Sequence, residues 1–562
     1  MSNTKGLLLL LCCLIGFPQI STGYEARTIV PPGPFHGVHG LAFGPDGALY
    51  AGDIMGSIIH RVDIESGKHR SEVSSPFGMA DDIGFAPHGT PNAGTLVWTS
   101  VALGKLYARA PGEPPRLIAD NLPSINTVGF APDGRLYVTQ TGGRHKTLWQ
   151  VDLSGKNPLE KIWDGTKGLN GFTISQDGFL YGPLADLGQV VRFNLENREI
   201  KLIADGFEWP TAVEMDSKGR LYVLDFDAGT VTRVNKESGE KTQLAQLESG
   251  LDNMAIGPIG SPYVDKLYIS SIGGNGIYEI DTRTNALRTV VRGQLTAPGG
   301  IAVRETESGT RAYIADMFSL REVDLSTHKV RTITPISGSS AYPTTVGLGE
   351  YKSKNVVVTG SWFTGRVQII DPQNGKVLRD ERKFAAPHGV GMLKDGSIIV
   401  AEASAQKVTQ VMPDGERRTI RDGFGFPSGI AVAEDQTIFV TDPGTGTVSS
   451  LDIASRELTL IRDDFLRPEG IAVLSEDRLA VVDSLANTVF ELNIVTGEKK
   501  PIAINVDVGL AVNRPQPETW IFNGIAVDGH GVLYLPLDTQ TSLIALTPSD
   551  KLLPVSLESV AR

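Results

Sequence analysis

Cysteine is all but missing from this chain. Its two cysteines, Cys12 and Cys13, stand side by side in the apolar N-terminal segment, and none follows. Beyond that segment there can be no disulfide, no thiolate metal centre and no cysteine nucleophile. Long apolar runs are also lacking: the longest, Gly6 to Phe17, is too short to span a bilayer. Basic clusters are absent and the net charge is −12, which argues against nucleic-acid and anionic-membrane partners. No useful length carries helical periodicity, and no Ser/Gly linker or charge run divides the chain.

The N-terminus reads as an export signal. Lys5 supplies the charge, Gly6 to Phe17 the apolar core, and Ser21-Thr-Gly23 a small-residue cleavage site. A secreted or periplasmic protein cleaved near Gly23 is expected.

What is present in abundance is one phrase, rewritten. Gly40-Leu-Ala-Phe-Gly-Pro-Asp-Gly-Ala-Leu-Tyr-Ala-Gly-Asp53 returns as Thr127-Val-Gly-Phe-Ala-Pro-Asp-Gly-Arg-Leu-Tyr-Val138 and as Gly171-Phe-Thr-Ile-Ser-Gln-Asp-Gly-Phe-Leu-Tyr181. Further copies run from Ala212 to Asp225, Gly389 to Glu402, Gly429 to Asp442, Gly470 to Asp483 and Gly524 to Tyr534. Each reads as a short apolar strand, a tight Asp-Gly-type turn and a second strand of branched and aromatic residues. The residues just before the phrases are His39, Asp81, Asn126, Asn170, Thr211, Asp252, Gly299, Thr344, His388, Ser428, Glu469 and Asn523, mostly 40 to 47 residues apart. That period belongs to the four-stranded blades of a β-propeller.

One propeller ring holds about four to eight blades, so twelve copies overfill one. The expected fold is all-β, with tandem propellers of about six blades each: 1–23 signal peptide, 24–296 first ring, 297–562 second ring. A five-plus-seven division stays open. Arg27-Thr-Ile-Val30 resembles the outermost strands of the repeats and is expected to close a ring by pairing with a blade made much later in the chain.

In a propeller the inner strands converge on a central channel, so the residues that precede each phrase form its mouth. In the first half these are His39, Asp81, Asn126, Asn170, Thr211 and Asp252, all polar and rich in carboxylate and amide oxygens. Such oxygens suit a hard divalent cation, calcium or magnesium. Asp81, Asn126, Asn170 and Asp252 are the expected metal ligands, with His39 and Thr211 facing a substrate. In the second half His388, Glu469 and Asn523 offer an imidazole, a carboxylate and an amide. A carboxylate lies fourteen residues after the mouth residue in several blades, as Asp53, Asp225, Asp442 and Asp483. That recurrence suggests a part of the repeat that caps turn N–H groups. Glu402 lengthens it in the blade of His388, where the two are expected to work as base and metal-linked or orienting partner.

The wording Gly-Ile-Ala-Val, Asp-Gly, Leu-Tyr-Val, Asp resembles NHL-type and TolB-like propeller repeats over nearly the whole mature chain. Asn170-Gly-Phe-Thr-Ile-Ser-Gln-Asp-Gly-Phe-Leu-Tyr181 is similar to the metal-binding strand of the gluconolactonase, senescence marker protein and luciferin-regenerating enzyme family. Ile125-Asn126-Thr127 resembles that family's substrate-side Asn-Asp element, with Thr for Asp. The chain departs where the family has a Pro-Asp-Gly, here Pro210-Thr211-Ala212, and where it has an opening Glu, here His39. Pro387-His388-Gly-Val-Gly-Met-Leu-Lys-Asp-Gly-Ser-Ile-Ile-Val-Ala-Glu402 resembles the catalytic blade of streptogramin B lyase. That resemblance implies a base at His388, a metal-linked role for Glu402, and opening of a cyclic ester with magnesium. The two resemblances imply a metal-dependent enzyme opening a lactone or other cyclic small molecule, by hydrolysis or elimination. A non-catalytic binding or scaffolding propeller is the alternative reading.

Overall fold

The computed structural model describes residues 19–20, 23–337, 341–511 and 521–549. Most of the expected signal segment, with Cys12 and Cys13, lies outside them, though Gln19 and Ile20 pair with Ile504 and Ala503 at the edge of one sheet. The chain forms twelve antiparallel sheets of four strands, that one carrying a fifth. Among the described residues no helix is long and apolar enough to cross a membrane.

The Asp-Gly phrase folds as its chemistry requires. At Pro45-Asp46-Gly47 the glycine takes φ +75°, a left-handed conformation that costs glycine least, and the Asp46 carboxylate accepts the Ala48 N–H at 3.2 Å. The strand after the turn is apolar on both faces because blades stack face to face. Leu49–Asp53, Leu221–Asp225, Ile398–Glu402 and Ile438–Asp442 are buried along their entire length. Outermost strands such as Lys241–Gln246 face water.

The inner strands pack in two closed cycles of six. Val38–Phe43 lies against both Asp82–Phe85 and Leu251–Ile256, closing the first; Ile301–Thr306 lies against both Thr345–Tyr351 and Ala526–Val527, closing the second. The all-β tandem propeller with six blades per ring is thus the observed fold. One boundary moves. Tyr24–Val30 pairs antiparallel with Ser542–Pro548, so this segment completes the last blade and belongs to the second ring rather than the first. The N-terminal strand supplies the outermost position of a blade whose other three strands come from the far end of the chain. Ile29 and Val30 are 5% and 0% exposed there. Val30→Asp is therefore expected to cost about 3 kcal/mol or more by burying a charge without a partner. Chemical denaturation should show the loss in the second ring's transition.

The acids that end the second strands act as clamps. The Asp225 carboxylate accepts the N–H groups of Glu208 and Trp209 at 2.7 and 3.0 Å. Asp442 does the same for Gly425 and Phe426, Asp483 for Leu466 and Arg467, and Asp538 for Gly509 and Leu510. Each holds the loop that leads into its own inner strand, which fixes where the mouth residues sit.

Candidate functional site: the mouth of the first ring

The two rings differ along their axes. The residue after each mouth residue points toward the axis, and in the second ring it is almost always glycine: Gly300, Thr345, Gly389, Gly429, Gly470 and Gly524. The strands there approach too closely for a side chain. A Cβ on Gly389 would lie 2.0 Å from the Ser428 carbonyl, and one on Gly429 2.1 Å from that of Glu469. In the first ring the same positions carry Gly40, Asp82, Thr127, Gly171, Ala212 and Asn253. The axis there is wider and polar, with a cavity of about 50 Å³ lined by Asp82, Thr127, Glu214, Asn253 and apolar neighbours.

At the first mouth five of the six expected residues fall into two groups. Asn126 and Asn170 come together across the Thr127 hydroxyl, which lies 3.0 Å from one amide oxygen and 3.2 Å from the other. Asp81, Asp252 and His39 form a charged group. Burial, then repulsion from Asp252 and Asp82, push the Asp81 carboxyl well above the ordinary carboxylate range. Asp252 is also raised by burial, against the opposing influence of His39. Asp81 is 8% exposed, and no hydrogen bond reaches its carboxylate. Its oxygens are not among the fully buried unpartnered atoms, so they keep accessible surface at the mouth, open to a ligand. His39 is held by its Nδ1, 2.8 Å from the Gly37 carbonyl. A carbonyl only accepts, so Nδ1 carries a proton, and in the neutral ring Nε2 is the acceptor. Thr211 does not join them, since its hydroxyl donates to the Leu251 carbonyl at 2.9 Å and stitches two blades.

Thr127 is the residue that stands for Asp in the Asn-Asp element, whereas Asp82, Glu214 and Asn253 have no place in the mouth register. Asp82 accepts from Ile83 and Val128 N–H and from Asn253 Nδ2 at 2.7 to 2.9 Å. Burial chiefly pushes Asp82 up to about 8. Glu214 keeps part of its surface toward the cavity, and burial pushes it up to about 7. The signal available was a polar residue inside an apolar inner strand, as in Ala212-Val-Glu214-Met215.

In the second ring Glu469 and Asn523 do meet: Glu469 Oε2 accepts from the backbone and side-chain nitrogens of Asn523, both at 2.8 Å, and Oε1 from Ser484 Oγ at 2.7 Å. The expected pairing of His388 with Glu402 does not form. Glu402 points into its own blade, accepting from Ala385 N–H at 2.9 Å and Thr409 Oγ1 at 2.6 Å, with Lys407 Nζ at 3.4 Å. It is one more clamp of the Asp442 kind, and its extra methylene is taken up by Thr409 and Lys407. His388 is 1% exposed, and neither ring nitrogen has a partner. It sits between Trp362, stacked at 6.3 Å, and Phe426, edge-on at 4.9 Å. Burial pushes its pKa down to about 3.

Among the described residues no three His, Cys, Asp or Glu side chains converge as a metal cluster. A cation at the first mouth would need the amide oxygens as well. The donor set of Asp81 and Asp252 carboxylates with Asn126 and Asn170 amide oxygens is all hard oxygen, and the accessible Asp81 carboxylate is the group a cation would bind first.

No protein-family model matches the chain, and no curated protein matches it in sequence. Among solved structures it is similar to a protein assigned as a gluconolactonase, at 18% identity and TM-score 0.37, over 49% of this chain and 95% of that one. It is also similar to virginiamycin B lyase from Staphylococcus aureus, at 13% identity and TM-score 0.25, over 68% and 96%. A third likeness is to the extracellular domain of a protein assigned as a hybrid two-component system of B. thetaiotaomicron, at 12% identity and TM-score 0.31, over 91% and 75%. Each is a likeness of shape; what this chain can do follows from its own residues.

Proposed function

We propose that this chain is a cation-dependent enzyme that opens a lactone or related cyclic ester at the mouth of the first ring. The observation that carries the reading is Asp81, a carboxylate that accepts no hydrogen bond among the described residues and keeps its oxygens accessible at the mouth, beside Asp252 in a ring that also carries Asn126 and Asn170. Asp81, Asp252, Asn126 and Asn170 would hold calcium or magnesium. A bound divalent cation would polarise the ester carbonyl and offset the charge that develops on its oxygen. His39 supplies the proton traffic: with Nδ1–H committed to the Gly37 carbonyl, Nε2 of the neutral ring accepts a proton from an attacking water, or from the carbon adjacent to the one that bears the leaving ester oxygen, whose C–O bond then breaks to release the carboxylate. Asp252 stabilises the imidazolium that results. Thr127 sets the amide oxygens of Asn126 and Asn170. Glu402 has no part in this chemistry. The closed axis of the second ring and the apolar seat of His388 favour a supporting role for that ring.

Export to the periplasm or outside the cell belongs to the same proposal, because the N-terminal segment has the composition of a signal. Two measurements test it. Protein purified without chelators should hold about one calcium or magnesium per chain, and chelation should remove activity. A panel of lactones and cyclic depsipeptides followed by mass spectrometry should show a gain of one water for hydrolysis, or ring opening at unchanged mass for elimination. A chain without metal that leaves the whole panel untouched is a binding propeller instead.

A further inference from the structure

The second ring covers part of the mouth of the first, where His39 and Asp81 are buried while Asn126, Asn170 and Asp252 keep some exposed surface. One apolar cluster holds Met55, Met79 and Phe226 from loops of the first ring together with Met317, Phe318 and Tyr342 of the second. Phe318 lies 6.3 Å from the His39 ring, and a Cβ on Gly37 would stand 3.1 Å from its edge. Tyr342 lies 6.2 Å beyond Phe318, edge-on, and burial, then the charges of Asp252 and Asp227, raise the pKa of its hydroxyl. From Tyr342 the aromatic contacts continue through Phe363, 55% exposed, to Trp362 and His388. A row of rings thus runs from the histidine of one mouth to that of the other and reaches the surface at Phe363.

Two backbone features mark this covering segment. Met317 and Tyr342 have φ of +39° and +53°, the left-handed region that costs a residue with a Cβ. Bulky residues persist there only where surrounding structure demands it, and such positions cluster at ligand-contacting surfaces. Three of the chain's eight methionines stand in the same cluster. Flexible thioethers beside aromatic faces make a surface that repacks around flat apolar groups.

We propose that Phe318 and Tyr342 of the second ring complete the site of the first, forming the face against which the substrate packs, and that they select cyclic esters carrying an aromatic or similarly flat apolar group beside the ester. The proposal rests on the reading of the first mouth as the ester-opening site. The apolar face lies directly above His39 and Asp252, so the flat part of the substrate meets the rings while its ester faces the polar mouth. The Tyr342 hydroxyl is the polar group of this roof and positions the ester oxygen. Tandem rings in one chain then have a physical purpose: one carries the polar groups, the other the apolar wall.

Two readouts test this separately. The first needs no substrate. Diethyl pyrocarbonate acylates accessible neutral imidazoles, and peptide mass spectrometry measures each histidine against exposed His88. In the wild type His39 should react slowly; in Phe318→Ala/Tyr342→Ala its rate should rise at least tenfold while that of His60, buried inside its blade, stays constant. An unchanged His39 rate overturns the roof. If His60 also becomes reactive, the single variants Phe318→Ala and Tyr342→Ala decide by the same ratio. The second readout compares dihydrocoumarin, an aryl-fused lactone, with δ-valerolactone. The wild type should prefer the aryl lactone in kcat/KM, and the double variant should lose at least tenfold of that preference, mainly through KM. A preference retained in the variant overturns the selective role. Failure of the wild type on both lactones counts against the parent reading and the substrate class together, whereas His39 protection still reports on the roof alone.

Discussion

Asp81→Asn is expected to make the metal-free protein more stable and the metal-loaded protein inactive. Asp81 is buried beside Asp252 and Asp82 with no hydrogen bond to its carboxylate. An unpaired charge in such a place is destabilising, and replacing it by a neutral isostere relieves the repulsion. A gain of about 1–2 kcal/mol in the apo protein is expected, or about 2–4 °C in Tm per kcal/mol for a ring of this size. The loaded state should respond in the opposite sense. Wild type at a hundredfold excess of calcium over Kd gains about 2.7 kcal/mol by mass action, and Asp81→Asn should lose most of that shift and at least about a hundredfold in turnover. Scanning calorimetry with and without calcium or magnesium reads both signs in one experiment. A variant that is less stable without metal, or one that keeps the full calcium shift, would remove the cation from this mouth.

His388→Phe is expected to abolish much of the protein's sensitivity to acid. His388 is buried between Trp362 and Phe426 with both nitrogens unpartnered, and burial pushes its pKa down to about 3. An unfolded histidine titrates near 6.5. Above that pH the group is neutral in both states and contributes nothing to the pH dependence. As pH falls from about 6.5 toward 3, the unfolded chain takes up a proton that the folded chain refuses, and stability declines by about 1.4 kcal/mol per pH unit. Phenylalanine fills the same aromatic seat without titrating. Denaturation midpoints of the second ring at pH 7, 6, 5 and 4 should therefore fall steeply in the wild type and less steeply in the variant. Parallel slopes would show that His388 is protonated in the folded state and belongs to a polar site after all.

The propeller was legible because its determinants are local and repeated. A tight Asp-Gly turn between two apolar strands forms within a dozen residues, as at Asp46-Gly47, and twelve copies leave little choice of architecture. The clamp function of Asp225, Asp442 and Asp483 was legible for the same reason: one acid at one spacing in blade after blade does one job. Glu402 was misleading because its neighbour in sequence pattern, His388, is not its neighbour in space. Strand geometry sends the end of the second strand back to the loop before the first, where Ala385 N–H donates to Glu402, while Thr409 Oγ1 donates to it from the third strand. Asp82 and Asn253 stand one residue beyond the mouth register, where the pleat turns them toward the axis, and Glu214 lies further along its inner strand; no repeated spacing marks these three.

The sequence by itself determined the class of fold, the number of blades, the acid clamps and the set of oxygens at each mouth, since all of these reside in short windows of chain with fixed turn chemistry and alternation. Only the tertiary structure decided which mouth has room for chemistry. That depends on how closely six inner strands approach, close enough in the second ring that a Cβ on Gly389 or Gly429 would collide with the next strand, and wide enough in the first for Asp82 and Asn253. The strand pattern of Arg27–Val30 announced a pairing with a blade far along the chain, as found with Ser542–Pro548, but only the tertiary structure fixed that blade as the last of the second ring and laid Phe318 over His39. The packing of one ring on the other is set by ring closure, and no local pattern records it.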